Sequence, residues 1–152
     1  MAKFVFAFES LKKLRSNKLL GARKELIEAE SRLRKVTDDH RHAAMQRAML
    51  FDERDAGKLS LGELQLNMDL IATQTQKLRH LEKSILTAQE EFDRHRNWVA
   101  HLGRELKIVE KLEENKRRTF EENERLKEKK TNDRWVAERW AQKVNQGEEN
   151  NT

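Results

Sequence analysis

The residues Asp52-Glu-Arg-Asp-Ala-Gly57-Lys-Leu-Ser60-Leu-Gly-Glu63 decide the fold, because they hold the one strong break in a chain nearly free of stop signals. The chain has no proline and only five glycines, two of them in this stretch. Gly57 suits the left-handed turn that ends a helix, since it has no Cβ to clash at positive φ. Ser60 and Glu63 have the S-x-x-E spacing of a capping box at a helix start. The stretch therefore predicts the end of one helix, a loop over about 55–60 and the start of a second helix. Working outward, the helices cover about 3–54 and 61–141, and a polar tail over 145–152 frays.

Both flanks carry the heptad pattern of a coiled coil. Steps of three and four from Leu19 give Leu19, Ala22, Leu26, Ala29, Leu33, Val36, His40, Ala43, Arg47 and Leu50. The same steps from Leu78 give Leu78, Leu81, Ile85, Ala88, Phe92, His95, Val99, Leu102, Leu106 and Val109. Each set falls on one narrow helix face, which is the seam of a left-handed coiled coil. Phe4, Phe8, Leu11 and Leu14 extend the first stripe after a slip near Lys18, and Leu64, Met68 and Ile71 extend the second.

A short connection makes neighbouring helices antiparallel. The expected fold class is therefore all-α: an antiparallel coiled-coil hairpin, one domain over 1–144. Folding about Gly57 sets His40 near Gln74 and Phe4 near Glu110, so the first helix runs out near Leu112. From Glu113 to Arg134, 15 of 22 residues are charged. The second helix is thus expected to overhang its partner from that point. Local pairs at i, i+4 support it, namely Glu113–Arg117, Glu114–Arg118 and Glu121–Arg125, after Glu9–Lys13, Glu28–Arg32, Glu30–Arg34 and Glu90–Arg94 earlier in the chain. Each contributes roughly 0.2–0.5 kcal/mol.

Composition closes off several classes of function. Charged residues make up 39% of the chain and apolar ones 36%, so the apolar side chains serve narrow stripes and not a thick core. With no cysteine there is no disulfide, thiol catalyst or cysteine-ligated metal. No apolar run nears the ~20 residues of a membrane span, and the short apolar start is no secretory signal. These point to a cytoplasmic address. His40 and His42 lie two apart on a helix and point in nearly opposite directions, so they do not share a metal ion. Gly57-Lys58-Leu59-Ser60 lacks the upstream glycine of a phosphate loop. A two-helix seam offers no cavity to desolvate a carboxylate, so neither an enzyme nor a cofactor is expected.

Three features remain that a hairpin does not use. Ala44, Met45, Ala48 and Met49 face away from the first seam, and methionine is common at binding surfaces. Trp135 and Trp140 lie beyond any partner helix. Residues 1–36 hold 10 Lys/Arg against 4 Asp/Glu, a basic start suited to an acidic surface.

The opening Phe4-x-Phe6-x-Phe8-Glu9-x-Leu11-x-x-Leu14-Arg15 resembles that of the FliJ family of the flagellar type III export apparatus. Lys107-Ile-Val109-Glu110-Lys111-Leu112-x-x-x-Lys116-Arg117, with Glu128-Lys129-Lys130-x-x-Asp133, is similar to the family's C-terminal pattern. Lys12 and Arg134 depart from it, standing where an apolar residue and an acid are usual. Injectisome stalk proteins look much alike. The resemblance implies a cytosolic stalk and coupling protein, peripheral at the inner-membrane export apparatus. Its implied partners are the hexameric export ATPase, the cytoplasmic domain of the export gate protein FlhA, and export chaperones. Gate contacts would lie near Asp39, Ala43, Gln46, Leu50, Lys77, Leu81, Ser84 and Ala88, to which the off-seam patch adds Met45 and Met49. ATPase contacts would involve Lys12, Lys13, Arg15, Arg117, Trp135 and Trp140. The residues alone leave two alternatives, a basic coiled-coil nucleic-acid binder and a structural scaffold. The overhang's near balance of 8 basic and 7 acidic residues disfavours the first.

Overall fold

The computed structural model describes residues 2–149, in which two helices, α1 (Glu9–Asp55) and α2 (Leu61–Glu149), pack against each other as a hairpin. No strand occurs among the described residues. The loop is as its residues predict. Gly57 adopts a φ of 69° and ends α1. The Ser60 amide donates to Glu63 Oε2 at 2.8 Å, and the Glu63 amide donates to Ser60 Oγ at 3.3 Å. The Ser60 backbone amide, then its hydroxyl, holds the Glu63 carboxyl below the usual carboxylate range. Helix α2 runs past the expected end near residue 141, because Ala137, Ala141, Gln142 and Lys143 are good helix formers and no proline stops it. The expected frayed tail is helical through Glu149, and residues 150–152 lie outside the described residues.

The contacts divide the chain into two compact units, Leu14–Glu105 and Met1–Lys13 with Leu106–Thr152. In the Leu14–Glu105 unit every expected seam residue of α1 from Leu19 to Leu50 is buried or half-buried, as is every one of α2 from Leu78 to Leu102. The seam is thin. Ala22, Ala29, Ala43 and Ala88 are buried, and no large side chain is fully buried among the described residues. Small side chains bring the two backbones close, and polar side chains then bridge the seam from its edges. His40 lies 3.6 Å from Glu82, His95 lies 3.6 Å from Glu25, and Arg32 lies 3.7 Å from Glu91. Arg15 donates to the Glu105 carbonyl at 2.8 Å.

These pairs correct the expected register. His40 meets Glu82 and not Gln74, a displacement of eight residues along α2. A slide of about one heptad returns every seam residue to the seam, so periodicity alone does not choose between the two registers. Gly57 closes α1 but does not open α2; Lys58, Leu59 and Ser60 still separate them, which moves the fold-back point along the chain. Two seam extensions are also corrected. Asn67, not Met68, occupies the seam near the loop and is only 4% exposed. No slip occurs near Lys18, because the heptad steps continue backward through Arg15 and Lys12, while Phe8, Leu11 and Leu14 are exposed. Charge makes both positions look outward-facing in the sequence.

In the second unit, residues 2–8 are not helical, so α1 starts at Glu9 and not near Lys3. Phe4, Phe6 and Phe8 alternate with a period of two around Val5, and aromatic and β-branched residues are weak helix formers. The arm lies along α2. Phe4 packs against Phe120 with ring centroids 5.7 Å apart, ten residues beyond the expected Glu110. That displacement follows the corrected register, since Phe4 precedes Lys12 by eight residues and Phe120 follows Glu113 by seven. The paired stretch of α2 therefore reaches Phe120, and the expected overhang begins there instead of at Glu113. Of the seven expected i, i+4 ion pairs, those at Glu30–Arg34, Glu113–Arg117 and Glu114–Arg118 form, while Arg32 crosses to α1's partner helix.

The thin seam makes burial the main determinant of mutational cost. Leu102, 4% exposed, and Leu20, 67% exposed, differ only in that respect. Leu102→Ala should cost about 2–3 kcal/mol of unfolding free energy, and Leu20→Ala no more than about 0.5. Urea denaturation followed by circular dichroism checks this; equal costs would contradict the seam.

Candidate partner-binding surfaces

On an antiparallel pair, the residues one step before each seam position on both helices line the same flank. In the Leu14–Glu105 unit this flank carries two of the expected clusters. Asp39, Ser84 and Ala88 line one shallow groove. Gln46, Met49 and Leu50 line a second, nearer the loop, with Glu53, Leu70 and Gln74. The remaining gate candidates are scattered. Ala43 is fully buried between the helices and Leu81 half-buried on the seam, so both support the surface from beneath. Lys77 and Met45 are exposed, Met45 on the outer face of α1.

Sequence reading missed Leu66 and Leu70. They directly precede the seam residues Asn67 and Ile71 and stand exposed on the same flank as Met49. Placing Met68 on the seam hid them; the heptad step back from Leu78 through Gln74 and Ile71 to Asn67 would have found them. Asn67 donates to the Leu50 carbonyl at 3.0 Å, which turns its amide nitrogen inward. Asn67 Oδ1 and Gln74 Oε1 are buried and have no hydrogen-bond partner among the described residues. Farther along this flank, Trp98 stacks on His101 with centroids 5.4 Å apart, beside Arg94 and the His95–Glu25 pair.

The second unit holds most of the basic candidates. Lys12 Nζ lies 2.5 Å from Glu113 Oε2, so this lysine is matched by an acid across the seam. Their hydrogen bond is the largest cause that raises the Lys12 pKa above the usual lysine range and lowers Glu113 below the usual carboxylate range. Arg117 bonds to Glu113 at 3.2 Å, and its guanidinium lies 5.5 Å from the centre of the Phe4 ring. Lys12 and Arg117 thus hold the arm in place, whereas Lys13 is exposed. Arg15, in the other unit, is tied to the Glu105 carbonyl.

Beyond Phe120 the seam steps fall on Asn123, Lys127, Lys130 and Arg134, so the hairpin stripe ends. An apolar face resumes farther on. Val136, Trp140 and Val144 recur every four residues with Ala137 and Ala141 beside them, all exposed, Trp140 at 68%. Trp135 points away from this face and lies under Arg139, whose guanidinium is 4.4 Å from its ring centre. Among the described residues no group of His, Asp and Glu could hold a metal ion, and no helix is long and apolar enough to cross a membrane. Compared with known proteins, the chain matches no family model, no curated protein and no solved structure.

The Lys12–Glu113 pair has a definite pH signature. The Glu113 contribution is present above the usual carboxylate range and is lost as pH falls through its lowered pKa. The Lys12 contribution is present below the usual lysine range and is lost as pH rises through its raised pKa. The pair therefore secures the arm across neutral pH. In a carbon NMR titration, Lys12→Ala should move the Glu113 carboxyl midpoint upward; an unmoved midpoint would show that the pair does not form.

Proposed function

We propose that this chain is a non-catalytic connector of a type III protein export apparatus, in which one surface meets the hexameric export ATPase and another meets the cytoplasmic domain of the export gate. One observation carries this reading. The hairpin closes its own seam, yet each unit keeps an apolar surface that nothing among the described residues of that unit covers. One is the Met49, Leu66 and Leu70 flank, and the other is the Val136, Trp140 and Val144 face. A chain that only scaffolds needs no such surfaces, and a connector needs two.

The FliJ-like opening and C-terminal patterns supply the names of the two partners, and export chaperones are a third expected ligand. The C-terminal face suits the ATPase: bulky aromatics anchor an interface, and neighbouring charges allow re-docking as ring subunits change state. The loop-side flank suits the gate. A nucleic-acid role fares worse, because Lys12 and Arg15 are engaged within the hairpin and leave the basic start less available.

Deleting residues 125–152 removes the C-terminal face but leaves the Phe4–Phe120 contact and the Lys12–Glu113 pair. The truncated chain should stay helical and paired while losing stimulation of the purified export ATPase. Lys13→Glu should weaken stimulation in a salt-sensitive way, since exposed charges are screened beyond about 8 Å at physiological salt. Met45→Glu with Met49→Glu should reduce binding to the purified gate domain without loss of helicity. ATP turnover and gate affinity, measured across a titration of each variant, decide the matter. Full stimulation by the truncated chain would refute the ATPase assignment.

A further inference from the structure

The loop-side groove has a chemistry of its own. Its lining is Gln46, Met49, Leu50, Glu53, Leu70 and Gln74, with a volume of about 520 Å³, and toward the loop it continues past Leu66, Asn67 and Glu63. The floor is apolar and its only charged residues are acids, Glu53 and Glu63. The Asn67 amide nitrogen donates to the Leu50 carbonyl at 3.0 Å and to Glu53 Oε2 at 3.5 Å, and the Gln46 amide lies 3.2 Å from His42 Nε2. Asn67 Oδ1 and Gln74 Oε1 are sealed from solvent. What the groove presents outward is therefore its apolar floor and the negative charge of Glu53 and Glu63.

From this we infer that the groove receives a basic amphipathic helix of a partner protein, laid along the two hairpin helices as a third strand of a bundle. Leucine-sized side chains at i, i+4 and i+7 would sit over Met49, Leu66 and Leu70, the arrangement by which helices occupy apolar grooves. Lysine or arginine at the borders would face Glu53 and Glu63. The α2 stretch from Glu63 to Gln74 is about 16 Å long at 1.5 Å per residue, so two to three turns of the incoming helix span it. An acidic helix would meet like charge there. The occupant is set by its chemistry, whichever protein supplies it, which goes beyond the proposed role.

The test uses the full chain and two designed, fluorophore-labelled helical peptides with the same leucine stripe. One is flanked by lysines and the other by glutamates, and binding is read by fluorescence anisotropy. The lysine-flanked peptide should bind, and the glutamate-flanked one should not. Leu66→Ser with Leu70→Ser should weaken the lysine-flanked peptide by about tenfold or more. Glu53→Lys should weaken it several-fold at low salt and less at high salt. All three side chains are exposed, so circular dichroism should show an intact hairpin in each variant. Equal binding of both peptides, or affinity unmoved by these substitutions, would overturn the inference. So would self-association, seen by sedimentation equilibrium and abolished by Leu66→Ser/Leu70→Ser, because it would assign the groove to a second copy. Binding of the purified gate domain is measured separately, so either result can fail without the other.

Discussion

Everything in this protein depends on a seam only one or two side chains wide. The alanines at 22, 29, 43 and 88 let the helices approach closely but bury little surface each, and no large side chain is wholly enclosed among the described residues. A seam this thin gains stability by length and by edge contacts. The cross-helix bridges at Arg15, Glu25, Arg32 and His40 line that edge, and the Lys12–Glu113 pair does the same work in the other unit. The same thinness leaves both flanks of the hairpin in solvent. Apolar residues placed there are therefore available to partners in a way they would not be in a thicker bundle.

The polar seam residues have a second consequence. An all-leucine stripe repeats every heptad and tolerates slides of seven residues. Asn67 ties α2 to the Leu50 carbonyl and Arg15 ties α1 to the Glu105 carbonyl, and each contact exists in one register only. A buried polar residue at a single seam position is a known means of fixing register at some cost in stability.

How much of this was legible followed from what each residue type must do. The loop was readable because Gly57 and the Ser60–Glu63 pair each have one favourable geometry. The twenty seam residues were readable because periodicity of three and four has a single structural meaning. The register was not, since two registers a heptad apart bury the same side chains. Lys12, Arg15 and Asn67 were misplaced because polar residues look outward-facing until the opposite helix shows Glu113 or a free carbonyl beside them. The aromatic arm is not legible, because Phe4, Phe8, Leu11 and Leu14 match helical spacing while Phe4, Phe6 and Phe8 match a period of two equally well. Of the two surfaces, Met45, Met49, Trp135 and Trp140 stood out as apolar residues off the stripe, and Leu66 and Leu70 were concealed by the misplaced Met68.

The central claim is that one chain offers two separate apolar surfaces to two partners while its seam stays closed. Hydrogen–deuterium exchange of the full chain, alone and with the purified export ATPase or gate domain, tests this most directly. The account predicts added protection over residues 135–144 with the ATPase, added protection over residues 45–50 and 66–74 with the gate domain, and an unchanged seam from Leu19 to Ala43. Protection of the same stretch by both partners, or deprotection of the seam on binding either one, would contradict it.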